Sequence, residues 1–259
     1  MTFNDFHFRS EVLGLHVSAY VLLPDISVLE QEAKPLPTLY LLHGLSDDHT
    51  RWMRQTRIEQ YAEKYRIAIV MPAVARSFYT DMDSGAGKYF TFVSEELPRV
   101  MESYFPLSKK REDRFAAGLS MGGYGAMKLG LRLPDRYGAI ASLSGALEME
   151  RDYHRPRGGG EAEFVHELNG IFGSEEELLS SDNNLSLVAE KLDCKKAPRM
   201  YVACGDKDFL IEYNRHFVKT FGQKFGIHYE EVPGEAHTWP FWDQQIEKVL
   251  RWLNVPEAK

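Results

Sequence analysis

Cysteine is scarce in this chain, two residues in 259, and the pair forms neither a zinc-ligand spacing nor a Cys-x-x-Cys motif. Cys204 falls in an apparent buried strand, where a reduced structural thiol is expected. Long apolar runs are missing as well, none approaching the roughly 20 residues that cross a bilayer. The segment Met1-Thr2-Phe3-Asn4-Asp5-Phe6-His7 lacks the basic and apolar regions of a secretory signal. Basic clusters are short, with Lys109-Lys110-Arg111 the longest, and the net charge is -7, which argues against a general nucleic-acid binder. No repeat or low-complexity tract is present. These absences lead to an expectation of a cytoplasmic protein with a small-molecule partner, no nucleic acid and no membrane.

What is present is enough for a large core, since 44% of the residues are hydrophobic and 12% aromatic, ordinary for a globular protein. Phe6–Leu13 and His16–Leu23 alternate roughly around Gly14, which predicts an antiparallel hairpin. Residues 24–37 read as a loop. Thr38–Leu42 and Arg66–Met71 are short continuous apolar runs, the pattern of strands buried on both faces. Gln55–Tyr65 has helical spacing. A loop over 73–88 and a helix over 92–104 lead to a strand before residue 120. Further strands are expected at 139–144, 199–204 and 227–232, with helices at 213–225 and 239–253. The alternation predicts one domain, 1–259, with a mostly parallel sheet of about eight strands, an antiparallel N-terminal hairpin and helices on both faces. One stretch, about 146–197, is too long for an ordinary crossover and reads as a lid or cap insertion. It contains the basic break Arg155-Pro156-Arg157-Gly158-Gly159-Gly160 and two helix-like pieces.

The stretch Phe115-Ala116-Ala117-Gly118-Leu119-Ser120-Met121-Gly122-Gly123-Tyr124-Gly125 organises the rest. It places Gly-x-Ser-x-Gly between a strand and a helix, the context of a nucleophile elbow. A serine at so sharp a turn is held in a strained conformation, and side chains two residues before and after it would collide. Gly118 and Gly122 avoid that collision. A serine hydroxyl then needs a base, itself oriented by a carboxylate.

Of nine histidines, His216, His228 and His237 follow both Ser120 and a plausible acid loop. His216 lies in a helix and His228 in a strand, whereas His237 sits in the loop before the last helix, where such sheets place their chemistry. Gly205-Asp206-Lys207-Asp208 offers two acids. Asp208 is favoured as the partner of the histidine, with Asp206 as a turn cap. An oxyanion needs two backbone N–H groups. Met121 supplies one, and the His43-Gly44-Leu45 turn supplies the other, assigned to Leu45 with Gly44 close behind. His43 itself reads as a brace of its loop. Trp52, Phe78, Tyr79 and Trp239 are candidate walls of the substrate pocket, together with Gly44.

His43-Gly44-Leu45-Ser46, the elbow, Gly205-Asp206-Lys207-Asp208-Phe209-Leu210 and His237-Thr238-Trp239 together closely resemble the esterase D/S-formylglutathione hydrolase group. Within it the nearest likeness is to bacterial tributyrin esterases, over nearly the whole chain. The resemblance implies an α/β-hydrolase fold and a carboxylesterase for short acyl chains, with no metal and no cofactor. It places the nucleophile on Ser120, the acid on Asp208, the base on His237 and the oxyanion donors on Leu45 and Met121. The substrate would be a small ester or thioester, and a homo-oligomer is compatible with it. Residues 151–163 match no pattern and are expected to help shape the pocket. Thioester hydrolysis, acyl transfer and non-catalytic binding on the same fold are the rival readings.

Overall fold

Every residue of β3 (Thr38–Leu42) is buried, and successive side chains enter two different cores. Tyr40 and Leu42 join one apolar cluster, while Leu39 and Leu41 join the other, as period-two alternation requires of a strand covered on both faces. The computed structural model describes residues 1–25 and 35–254. Most of the loop expected over 24–37 therefore lies outside the described residues.

Around β3 stand β1 (Thr2–Arg9), β2 (His16–Leu23), β4 (Ala68–Pro72), β5 (Arg114–Leu119), β6 (Ala139–Leu143), β7 (Arg199–Gly205) and β8 (His228–Val232). They form one eight-stranded sheet in the order β1-β2-β4-β3-β5-β6-β7-β8. β2 pairs antiparallel with both β1 and β4, and the remaining pairings are parallel. The chain winds from β3 toward one edge, then returns to β3 and winds toward the other. The crevice where the winding reverses lies at the C-terminal ends of β3 and β5, where open α/β sheets bind their ligands.

The helix Met121–Arg132 packs on the face that holds Tyr40, Val70 and Ala116. The helices Ile58–Lys64 and Trp239–Leu253 cover the opposite face through Ile58, Tyr61, Phe241, Ile246 and Leu250. Three α-helices, Glu161–Phe172, Glu175–Ser180 and Leu185–Lys191, follow a 3-10 turn at Met149–Tyr153. The stretch 146–197 thus holds three helices where two were expected. A capping box between Ser174 and Glu177 starts the second, and the Asn184 side chain caps the third, each satisfying otherwise orphaned N–H groups.

Other boundaries moved for identifiable reasons. The first strand ends at Arg9, not Leu13, because the buried Glu96 carboxylate accepts from Ser10 Oγ and from Glu11 N at 2.7 Å. That draws Ser10–Leu15 into a turn, closed by Ser10 N to Leu15 O at 2.9 Å. The helix expected over 92–104 starts at Tyr89, and Phe92–Glu96 within it is a π-helical turn. The helix expected over Gln55–Tyr65 is the shorter Ile58–Lys64, and a separate short helix, Arg51–Gln55, precedes it.

Packing around the elbow sets a testable contrast. A Cβ on Gly122 would lie 2.3 Å from Leu42 O and 2.6 Å from Leu42 C, backbone atoms that have no room to yield. A Cβ on Gly222, in the helix Ile211–Phe225, would meet only Val218 Cγ1, at 3.3 Å. Gly122→Ala is expected to lose about 1–3 kcal/mol or more in denaturant unfolding, as overpacking does. Gly222→Ala should be neutral or gain up to about 1 kcal/mol from helix propensity. Equal stability of the two variants would contradict this packing.

Candidate active site

The elbow begins where β5 ends. Ser120 has φ +53° and ψ −116°, a region a non-glycine residue enters only at a cost of roughly 1–3 kcal/mol. The surroundings hold it there. Ser120 N donates to Leu143 O at 2.9 Å, and Ser120 O accepts from Tyr124 N at 3.1 Å and Ala146 N at 3.2 Å. A Cβ on Gly118 would come within 2.4 Å of the Gly122 backbone, so that turn admits no side chain at 118.

Two backbone donors flank the serine. The Met121 N–H opens its helix, and Leu45 sits in the turn after β3. Among the described residues, neither N–H has a hydrogen-bond acceptor in the protein. The Met121 side chain is buried in the core, so only its backbone faces the site. Gly44 allows its loop to approach the elbow, since a Cβ there would lie 2.7 Å from Leu119 Cδ1 and 3.8 Å from Ser120 Cβ.

A chain of buried hydrogen bonds fixes the 43–45 loop. His43 is 1% exposed, its Nε2 accepts from Val74 N at 3.1 Å, and its Nδ1 donates to Gly44 O at 2.8 Å. Those partners define the neutral Nδ1–H tautomer, and burial pushes its pKa down. With both ring nitrogens occupied, His43 braces the loop. The Tyr79 hydroxyl donates to His43 O at 3.0 Å. Lys128, on the elbow helix and fully buried, donates to Thr80 Oγ1 at 2.8 Å and Tyr79 O at 3.2 Å. Phe78 and Tyr79 both have left-handed φ, +47° and +51°, and this network pins them there.

The acid and the histidine meet from adjacent strand ends. A Cβ on Gly205 would lie 2.2 Å from Glu235 O, so glycine lets the loop after β7 abut the loop after β8. Lys207 N donates to Glu235 O at 2.9 Å, and Asp206 Oδ1 accepts from Gly234 N at 2.7 Å. Asp206 thus ties the turn, and Asp208 faces the imidazole. His237 Nδ1 donates to Asp208 Oδ2 at 2.8 Å, with Oδ1 at 3.0 Å. Leu210 N donates to the same carboxylate at 2.8 Å. Since a carboxylate only accepts, Nδ1 carries the proton and the Nε2 lone pair is left free. Phe209 packs on the His237 ring with centroids 4.4 Å apart, and Trp242 meets it edge-on at 4.8 Å.

Ser120 and His237 line one cavity of about 390 Å³, together with Gly44, Leu45, Phe78 and Trp239. Two of the expected wall residues are elsewhere. Trp52 is fully buried, with Nε1 donating to Leu42 O at 3.0 Å, and it supports Trp239 edge to face from below. Tyr79 is fully buried too, its hydroxyl spent on His43 O. Neither lines the cavity. Wall residues that the sequence did not single out include Asp47, Arg51, Asp152, Phe164 and Trp242, with Arg155 and Arg157 from the basic break. Residues 151–163 do reach the pocket. Among the described residues, no group of acids, histidines and cysteines could hold a metal ion, and no helix is long and apolar enough to cross a membrane.

Comparison with known proteins places the chain in a family. The profile of the family described as "Putative esterase" matches residues 10–253. An acetyl esterase of Caldicellulosiruptor saccharolyticus is 32% identical, with 98% of each chain covered. A fluorophosphonate-binding serine hydrolase of Staphylococcus aureus, solved with substrate bound, superposes with a TM-score of 0.87 at 31% identity, covering 97% of this chain and 98% of that one. An S-formylglutathione hydrolase of Staphylococcus aureus superposes with a TM-score of 0.83 at 32% identity, with the same coverage.

The buried brace is testable apart from any activity. Burial, reinforced by the charge of Arg132, pushes the Lys128 pKa well below its usual 10.5. In the window between its folded pKa and 10.5 the unfolded chain binds the proton that the folded chain lacks, so stability rises with pH. The rise should approach 1.4 kcal/mol per pH unit at most, about one proton's worth. Lys128→Met should lose about 1–3 kcal/mol by leaving Tyr79 O and Thr80 without their donor, and should flatten that slope below about pH 10. The same slope in both proteins would contradict a neutral buried amine.

Proposed function

The chain belongs to the "Putative esterase" family and is a carboxylic ester hydrolase of the α/β-hydrolase fold, and on that footing we propose that it is a serine carboxylesterase for short acyl chains, acetyl to butyryl. Ser120 attacks the ester carbonyl as His237 Nε2 takes its proton, and Asp208 holds the imidazole and stabilises its charge. The Leu45 and Met121 N–H groups receive the tetrahedral oxyanion, where preorganised donors contribute most. His237 then protonates the leaving alcohol, and the acyl-enzyme is released by water activated on the same nitrogen. The carrying observation is the carboxylate–imidazole pair at 2.8 Å beside a strained serine in one cavity. The modest cavity volume and the acetyl esterase relative support short acyl groups.

Two further points belong to this reading. The stretch 146–197 serves as a cap, supported by Phe164 in the cavity wall and by Phe172 packing on Phe78, ring centroids 5.6 Å apart. The location is cytoplasmic, supported by two free cysteines where an oxidising compartment would favour a disulfide. Thioester hydrolysis is the second reading, favoured by the S-formylglutathione hydrolase neighbour, since one triad serves either leaving group.

p-Nitrophenyl butyrate should give a burst of nitrophenol matching the enzyme concentration. Ser120→Ala should abolish the burst and lower kcat by about 10⁴-fold or more, and Asp208→Asn by about 10⁴-fold. An unchanged rate in Ser120→Ala would overturn the reading. S-Formylglutathione turned over far faster than butyrate and acetate esters would reverse the order of the two substrates.

A further inference from the structure

The wall of the cavity that Ser120 and His237 line carries more cationic than anionic side chains, and neither the triad nor the oxyanion site uses them. Arg155 and Arg157 lie two residues apart around Pro156 in a stretch outside any helix, and both turn to Asp152. Arg155 Nε donates to Asp152 Oδ1 at 2.5 Å and Arg157 donates a terminal N–H to the same oxygen at 2.9 Å. The carboxylate is 3% exposed and the guanidinium side chains 22% and 23%. One anion therefore serves two cations, and the Nε of Arg157 is buried with no acceptor among the described residues.

The remaining charges in the wall, Arg51 and Asp47, pair with one another at 3.2 Å. The side chains that line the cavity thus sum to +1 in a chain whose net charge is -7, the Asp208 carboxylate standing behind His237 outside that lining. Each guanidinium also rests on a ring, Arg155 over Phe209 at 4.7 Å and Arg157 over Phe164 at 3.4 Å. Such stacking fixes the plane of the cation and leaves its N–H edges for a planar anion. Phe209 is the ring that packs on His237, so Arg155 is one side chain away from the base.

Resting on the esterase reading above, we propose that Arg155 and Arg157 form a subsite for a carboxylate carried by the substrate. The preferred esters then have a free acid group on either the acyl or the alcohol part. An incoming carboxylate takes charge-assisted hydrogen bonds from Arg157 and Arg155 and supplies the anion that Asp152 alone does not.

Two substrate pairs distinguish where the acid sits. 4-Acetoxybenzoate against 4-acetoxybenzamide places or removes the charge on the alcohol part, and p-nitrophenyl hemisuccinate against p-nitrophenyl butyrate does so on the acyl part. In at least one pair, the ratio of kcat/KM for the acid over the neutral ester should fall about tenfold in Arg155→Gln/Arg157→Gln. The loss should appear mainly in KM, and the wild-type ratio should shrink as salt is raised. An identical ratio in wild type and variant for both pairs would overturn the subsite and leave the esterase intact.

If the double variant does not fold, wild type alone decides. Benzoate should inhibit hydrolysis of p-nitrophenyl acetate more strongly than benzamide, and equal inhibition overturns the proposal. If no ester is hydrolysed, the esterase reading fails separately, and calorimetric titration of the protein with benzoate and benzamide still reads the subsite. Heat from benzoate alone supports it, and no difference between the two overturns it.

Discussion

The contact between the elbow and the end of β3 sets the rest of the site. Gly118, Gly122 and Leu42 meet at distances that exclude any added Cβ, with Gly122 against the Leu42 backbone and Gly118 against Gly122. That approach does two things at once. It forces Ser120 into a left-handed conformation, lifting its hydroxyl off the backbone. It also sets the turn after β3 alongside the first residue of the elbow helix, leaving the Leu45 and Met121 N–H groups without acceptors among the described residues. The strain and the unsatisfied donors both cost stability, and the buried core on both faces of the sheet offsets them.

The other half of the site is built on the same principle at the far strands. Parallel pairing of β7 with β8 brings two loops out side by side, and Gly205 lets them touch at Glu235. Asp206 closes the turn, which leaves Asp208 to orient His237. Behind the cavity, Lys128, Tyr79 and His43 link the elbow helix to the 43–45 loop through buried hydrogen bonds. Ser120, Asp208 and His237 therefore stand on turns and loops at the strand ends, each held by backbone hydrogen bonds or close backbone contacts.

What was legible in the sequence was local. Gly-x-Ser-x-Gly needs small residues at fixed offsets from its serine, and the alternation of apolar runs sets the sheet, so the fold and the positions of Ser120, Asp208 and His237 could be read from short windows. Ring direction could not. Trp52 and Tyr79 lie next to site loops in sequence, yet their polar atoms are drawn to Leu42 O and His43 O, which turns both rings into the core. The first strand's end was also unreadable, because the group that ends it, Glu96, lies 85 residues from Glu11. Arg155 and Arg157 looked like a flexible basic break, and only the folding of their stretch over the cavity makes them wall residues.

The central claim is that a strained serine and two unpaired N–H groups form a single reacting centre. A crystal structure of the protein after reaction with an alkyl fluorophosphonate tests it most directly. The account predicts phosphorus bonded to Ser120 Oγ, with the phosphonyl oxygen within hydrogen-bond distance of both the Leu45 and Met121 N–H groups. A label on another residue, or a phosphonyl oxygen turned away from those two donors, would contradict it.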